Sequence, residues 1–287
     1  MFKSPVSILG VILLVFFIAV AALAPLLAPP RIPSQPYVMM REGFQAQPQP
    51  PSLKHPLGTT QGQYDILYGV VWGTRTAFKV GLIVTGITLL IGGGLGAIFA
   101  YMGGVMDEGF QRIVELFLAF PFLLAAITMA TILGPKIRNG LITAMIALIV
   151  FGWPSYARLI RGDILSVKER EYITAAHMVG VPGWRILMKH VLPNSIYSLL
   201  VVASLDIGSY VLTFAALSFL GLGAPLGYAD WGQLLSFARN WIPNLSDYWY
   251  IVVYPGMALL LFVLAWNLLG DAFRDALDPK MRGDMRR

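Results

Sequence analysis

Runs without a single charge set the pattern of this chain. Ser4 to Pro30 is the first and Val80 to Met106 the second; Leu116 to Pro135 and Asn139 to Ala157 follow, separated by a short polar turn. Val191 to Ala229 is interrupted only by Asp206, and Tyr248 to Gly270 closes the series. A helix needs roughly 20 apolar residues to cross a bilayer, so the pattern predicts six spans. Their expected limits are about 5–28, 78–102, 112–133, 139–160, 194–221 and 248–270. The fold class expected is therefore an all-α membrane protein with six transmembrane helices. Residues 1–77 would form an anchor helix and an outer loop, 78–270 the transmembrane core, and 271–287 a tail.

The segments between the runs are informative in their own right. Residues 29–56, with "APPRIPSQPYV" and "QAQPQPPSLKHP", are rich in Pro and Gln and read as an extended, irregular loop. Two readings fit "YDILYGVVWGTRTAF" from Tyr64: an amphipathic helix lying on the membrane surface, or a frayed extension of the second span. Between spans 4 and 5, "EYITAAHMVGVPGWRILMKHVLPN" at 171–194 mixes charges with helix-compatible spacing. Lys168 to Val179 holds no Gly or Pro, and its period puts Tyr172, Ala175, Ala176 and Val179 on one face. Gly180 would end that helix in a left-handed cap, and Pro182 suits the first turn of a second one. Pro193 then leads back into the membrane. The expected product is a two-helix loop parallel to the membrane, with Ala175 and Ala176 small enough to admit another surface. A hairpin that packs only on its own spans fits the same pattern.

Composition sharpens this picture. Charged residues make up 13% of the chain and hydrophobic ones 57%, against roughly 25% charged in soluble domains. The absence of cysteine excludes disulfides, thiolate metal sites and cysteine nucleophiles. A net charge of +6 would also suit a nucleic-acid binder, but in a membrane protein excess Lys and Arg gather in cytoplasmic loops. Most of the 21 Lys and Arg fall on one side of the six spans: Lys3, Arg112, the cluster from Arg158 to Lys189, and Arg274, Lys280, Arg282, Arg286 and Arg287. Both termini and the 158–193 loop are therefore expected in the cytoplasm, although Lys136 and Arg138 in a short outer loop run against that bias. The first run is too long for a signal peptide, and its Ala22-Leu23-Ala24 site is followed by Pro25, so an uncleaved anchor is expected.

The motifs then point to a family. Ala175-Ala176, Gly180, His190 and Leu192-Pro193 resemble the EAA loop of permease subunits in bacterial ABC importers. More narrowly, "SVKEREYITAAHMVGVPGWRILMKHVLPN", "LSFLGLG" at 217–223, "WGQLL" at 231–235 and "RDALDPKMR" at 274–282 are similar to the dipeptide/oligopeptide/nickel branch, as are "HPLGTT" at 55–60 and "WGTR" at 72–75. The resemblance runs from about residue 5 to 282 and matches the shorter, six-span paralogue of that branch. It departs at Thr174, where the motif places its first Glu; Glu171 is the acid three residues earlier. His190 stands for the usual Ile, Gln63-Tyr64-Asp65 for Gly-Arg-Asp, and Phe214 for a Glu before "AALSFLGLG".

The resemblance implies a coupling helix seated in a cytoplasmic ATPase subunit, built from Glu171, Tyr172, Thr174, Ala175, Ala176, Val179, Gly180, Val181 and Pro182. It implies a paralogous permease as heterodimer partner, two ATPase subunits that bind ATP and Mg, and an extracytoplasmic substrate-binding protein. Di- or oligopeptides are the expected cargo, and nickel complexes or oligosaccharides the alternatives. The chain itself holds no G-x-x-x-x-G-K-[ST] phosphate loop, H-E-x-x-H or G-x-S-x-G, so it is expected to be no enzyme and to carry no cofactor or metal. A self-sufficient secondary transporter would call for several intramembrane charges and an inverted repeat.

Asp206 alone places a charge near mid-span, and an acid at that depth usually faces a cavity or a partner. It is a candidate for the translocation path, as a lining residue or a ligand for a substrate amine. A buried Asp bonded to a neighbouring helix is the alternative. "GGGLGA" at 92–97 lies in an uncharged helix, where Gly92 and Gly96 serve close packing rather than nucleotide binding. Arg112 and Glu115 have the spacing of an ion pair.

Overall fold

The computed structural model describes residues 5–277, and most of their backbone is helical. Lys3, Lys280, Arg282, Arg286 and Arg287, which contribute to the charge bias, lie outside the described residues. Helix α1 (Pro5–Leu27) is the first span, and α2 (Ile66–Met102) runs unbroken for 37 residues. Helix α3 (Gly104–Leu118) and α4 (Phe122–Ile137) meet at 84°. Helix α5 (Gly140–Lys168) is followed by α6 (Glu171–Met178) and α7 (Gly183–Ile186), then a π turn (Leu187–Val191) and α8 (Leu192–Phe219). Helix α9 (Trp231–Phe237), a 3₁₀ turn (Arg239–Asn244) and α10 (Leu245–Tyr248) connect to α11 (Tyr250–Leu277). Among the described residues, five helical stretches are long and apolar enough to cross a bilayer, and six if the bent α3–α4 pair is counted as one span.

Three expected boundaries are corrected, and one open reading is decided. Of the two readings of the stretch from Tyr64, the extension of the second span is the one found: residues 66–77 are the first turns of α2, which starts where the Asp65 carboxylate accepts the Tyr68 N–H at 2.8 Å. Their helical spacing serves internal packing: Gly73 lies under the Trp231 ring, so close that a Cβ there would fall 2.7 Å from it. The third span, expected as one stretch over 112–133, is broken at Ala119–Pro121. Pro121 has extended backbone geometry (ψ 122°), and proline both lacks an N–H and disfavours helical geometry in the residue before it. The helix expected over Lys168 to Val179 breaks at Arg170 (ψ 139°), which folds α6 back so that Val167 and Ile173 share one buried cluster. The second arm of the expected hairpin is no separate helix. It runs into the fifth span through the π turn, where the Leu192 N–H bonds to Leu187. Pro193, with no N–H to give residue 189, fits this widened turn.

Helix α2 is the centre of the bundle, with α5 and α8 packed against it. Lipid tails are as apolar as leucine, so helices associate in a membrane by close packing at small residues. Gly92 and Gly96 supply it here. A Cβ on Gly96 would lie 2.7 Å from the Ala157 Cα, and one on Gly92 would overlap the Trp153 carbonyl. Nearer the loop formed by residues 29–65, Phe17, Trp72, Trp231 and Phe262 join α1, α2, α9 and α11 in an aromatic core.

That loop is irregular but tightly bonded. Gln63, wholly buried with φ 62°, donates to the carbonyls of Gln45 (3.0 Å) and Gln47 (2.6 Å) and accepts from Gln49 at 3.0 Å. The Met39 N–H bonds to Gly227 and the Ala229 N–H to Tyr37, each at 2.7 Å. Tyr37 stacks on Tyr228. The long loop therefore closes over the segment between α8 and α11.

Candidate functional site

Two features stand out at different depths. At one end of the bundle, α6, α7 and the π turn form a corner anchored from beneath. Ile173, Ile186 and Val191 are buried among Ile160, Ile164 and Leu199. The α6 end closes as a Schellman motif: Val181 N–H bonds to Ala176 (3.1 Å) and Gly180 N–H to His177 (3.0 Å). Gly180 adopts φ +80° with open space around it, so a side chain there is disfavoured by the backbone and not by crowding.

The other face of this corner is bare. Tyr172, Met178, Val179, Trp184 and Met188 are exposed, Met178 and Val179 to 83%. Glu171, Thr174, Ala175, Gly180 and Pro182 are exposed with them, while Ala176 and Val181 are half-buried against the core. Pro182 stands just before α7 rather than inside its first turn. Large apolar side chains left exposed together on one short segment, with polar residues between them, are the composition of an interaction surface.

Contacts that no sequence spacing reveals tie this corner to the spans. The Lys168 ammonium donates to the carbonyls of Tyr101 (2.9 Å) and Ala100 (3.3 Å), at the end of α2, and sits 5.4 Å from the centre of the Tyr101 ring. Gly183 packs beside the same Tyr101 ring. Ser198 of α8 donates to the carboxylate of Asp163 on α5. The Arg161 guanidinium grips the buried Asp107 with bonds of 2.7–3.0 Å and so joins α3 to α5. The Arg112–Glu115 pair forms as its spacing suggests, at 3.1 Å on the surface.

Asp206 lies halfway along α8. Beside it stand the hydroxyls of Tyr156 and Tyr210, and it borders a half-open cavity of about 290 Å³ with Phe117, Phe122, Phe151 and Ser155 on other walls. The break between α3 and α4 borders this cavity, with Phe117 and Phe120 before Pro121 and Phe122 after it among the lining residues. No grouping of His, Asp or Glu among the described residues could hold a metal ion.

At the other end, Asp230 caps α9, accepting the Gln233 N–H at 3.0 Å. Burial pushes its carboxyl up to about 6, against the pull of hydrogen bonds from Ser218 and the α9 backbone. His55 Nδ1 lies 2.7 Å from Asp65, so the α2 cap is itself held in place.

A six-span helical core with a polar cavity at mid-depth and an unpartnered apolar corner at one end is the architecture of a membrane transport subunit. The chain belongs to the family of binding-protein-dependent transport system inner membrane components, whose pattern matches residues 92–283. It is 38% identical over 280 residues to the dipeptide transport system permease protein DppC of Alkalihalophilus pseudofirmus, covering 98% of this chain and 88% of that protein. Identity to the oligopeptide transport system permease protein OppC of Bacillus subtilis is 34%, over 98% of this chain and 87% of the relative. The glutathione transport system permease protein GsiD of Pectobacterium atrosepticum is 38% identical, over 81% and 75%. Among solved structures, an inward-facing form of the MetNI methionine ABC transporter shares the fold at TM-score 0.56 and 17% identity, over 72% of this chain and 96% of that one.

Proposed function

We propose that this chain is the permease of a peptide importer driven by ATP hydrolysis on partner subunits, and that the 171–194 segment is where the drive enters. The observation that carries the proposal is the corner itself: an exposed apolar face held rigidly from beneath, in a chain with no phosphate-binding loop of its own. Di- and oligopeptides are the cargo because relatives that match 98% of the chain carry dipeptide and oligopeptide in their names. The chain pairs with a paralogous permease, and an extracytoplasmic binding protein delivers the substrate. Both termini and the 158–193 segment lie in the cytoplasm.

In this reading Tyr172, Ala175 and Val179 meet the ATPase, with Glu171 and Thr174 at the rim. Gly180, Val181 and Pro182 form the corner that enters its cleft, and Ala176 backs the corner from the core side. ATP and Mg²⁺ are bound by the ATPases, which supply the free energy. This chain's residues transmit displacement: Ile173 and Ile186 press on α5, and Lys168 and Gly183 engage the end of α2. Asp206 and its cavity lie on the path that these movements open and close.

Val179→Asp and Ala175→Arg test the assignment, since both alter exposed positions. Expected is loss of ATPase subunits from the purified complex and loss of ATP-driven uptake of a labelled dipeptide, with the melting temperature of the chain unchanged. Retention of both subunits and full uptake would overturn it.

A further inference from the structure

The cavity at Asp206 has a chemistry of its own. Three elements meet there at mid-length: the α3–α4 break, Ser155 of α5, and Asp206 of α8. Ser209 and Thr213 extend its polar stripe along α8, and Phe117, Phe120, Phe122 and Phe151 supply its apolar walls. No basic side chain among the described residues forms an ion pair with Asp206. The neighbouring Tyr156 hydroxyl is buried without completing a hydrogen bond of normal geometry. A carboxylate and polar side chains at this depth do not face lipid, where nothing satisfies them. They face either protein or a water-filled space.

We propose that this cavity is a transit site for an organic ammonium group, with Asp206 as its counter-charge. The inference rests on the peptide-importer reading, in which the group is the α-ammonium of the passing peptide. A single carboxylate gives the cavity one sign. The aromatic walls tolerate varied side chains and attract a cation through their π faces. Serine and threonine hydroxyls on the same wall accept the remaining ammonium protons. One charge, without a fixed set of directional partners, suits a site that must release what it binds. The sequence shows Asp206 but not this arrangement, because Ser155 and the phenylalanines are brought to it only by the bend and by the packing of α5 on α8.

The chain's lack of cysteine allows a direct test in the assembled transporter, with the partner chains also freed of reactive cysteines. Ser209→Cys places one thiol in the cavity. Its reaction rates with cationic 2-aminoethyl methanethiosulfonate and neutral ethyl methanethiosulfonate are measured with Asp206 present and after Asp206→Asn. The expected result is a cationic-to-neutral rate ratio that falls about tenfold or more in Asp206→Asn, given a unit charge a few ångströms away at an effective dielectric near 20. Asp206→Glu should keep the preference, and a saturating dipeptide under ATP turnover should slow the labelling. An unchanged ratio, or a thiol that neither reagent reaches, would overturn the proposal, and so would dissociation of the paralogous permease in Asp206→Asn. Peptide uptake by the parent transporter is measured in the same vesicles. Its absence beside an intact cation preference would instead refute the peptide reading.

Discussion

Replacing Lys168 with alanine should uncouple more than it destabilises. The ammonium satisfies two carbonyls at the end of α2, at 2.9 and 3.3 Å, and lies 5.4 Å from the Tyr101 ring centre. Charge-assisted hydrogen bonds contribute about 1.5–3 kcal/mol and a cation at a helix C-terminus about 0.3–1 kcal/mol. Lys168 is half-buried, so screening and water replacing the lost donor bring the net loss to about 1–2 kcal/mol. For a chain of this size that is a fall in Tm of roughly 2–8 °C, measurable by fluorescence-monitored unfolding in detergent. The functional effect should be larger. Lys168 is the last residue of α5, just before α6, and grips the helix at the centre of the bundle. Peptide imported per ATP hydrolysed, measured in proteoliposomes, should fall severalfold while ATP hydrolysis continues, and Lys168→Arg should restore most of it. An unchanged peptide-to-ATP ratio in Lys168→Ala would refute the view that α2 is moved through this contact.

Gly92→Leu should abolish assembly, because even a Cβ overlaps the Trp153 carbonyl; yield and gel-filtration profile report it, and a normal profile would contradict the close α2–α5 packing. Asp107→Ala should cost about 1–3 kcal/mol by leaving Arg161 without its partner, and Arg161→Ala added to it should cost little more, as a double-mutant cycle in Tm would show. Burial holds the Asp230 carboxyl at about 6, above the usual carboxylate range. The folded chain therefore keeps a proton there that the unfolded chain has lost, and stability from this group rises as pH falls from 7 to 5. Asp230→Asn should remove that slope from the Tm–pH profile, and an unaltered slope would reject the burial assignment.

The spans are legible in the sequence because a charge-free run of bilayer length has few other uses. What sequence reading misses is where one element yields to another. Hydrophobicity along 116–133 is continuous, so only Pro121 hints at the 84° break. The stretch from Lys168 to Val179 has good helical propensity throughout; it breaks at Arg170 because Val167 and Ile173 reach the same buried cluster only if the chain turns. Gly180 is legible as a corner, since a left-handed cap calls for glycine, whereas the anchors beneath it lie on other helices. Asp206 is conspicuous as the lone acid of its run. Its cavity is not, because Phe117 and Ser155 are brought to it from 89 and 51 residues away in the chain.

The central claim is that the exposed corner at Gly180 is the seat of an ATPase subunit. Because the chain has no cysteine, Val179→Cys gives a single thiol on that corner, exposed in the isolated chain. Cross-linking it with a short bifunctional reagent in the assembled transporter, followed by mass spectrometry of the product, identifies its neighbour directly. The account predicts a link to an ATPase chain whose yield changes when ATP is trapped. A thiol that labels freely in the full complex and links to no ATPase would contradict it.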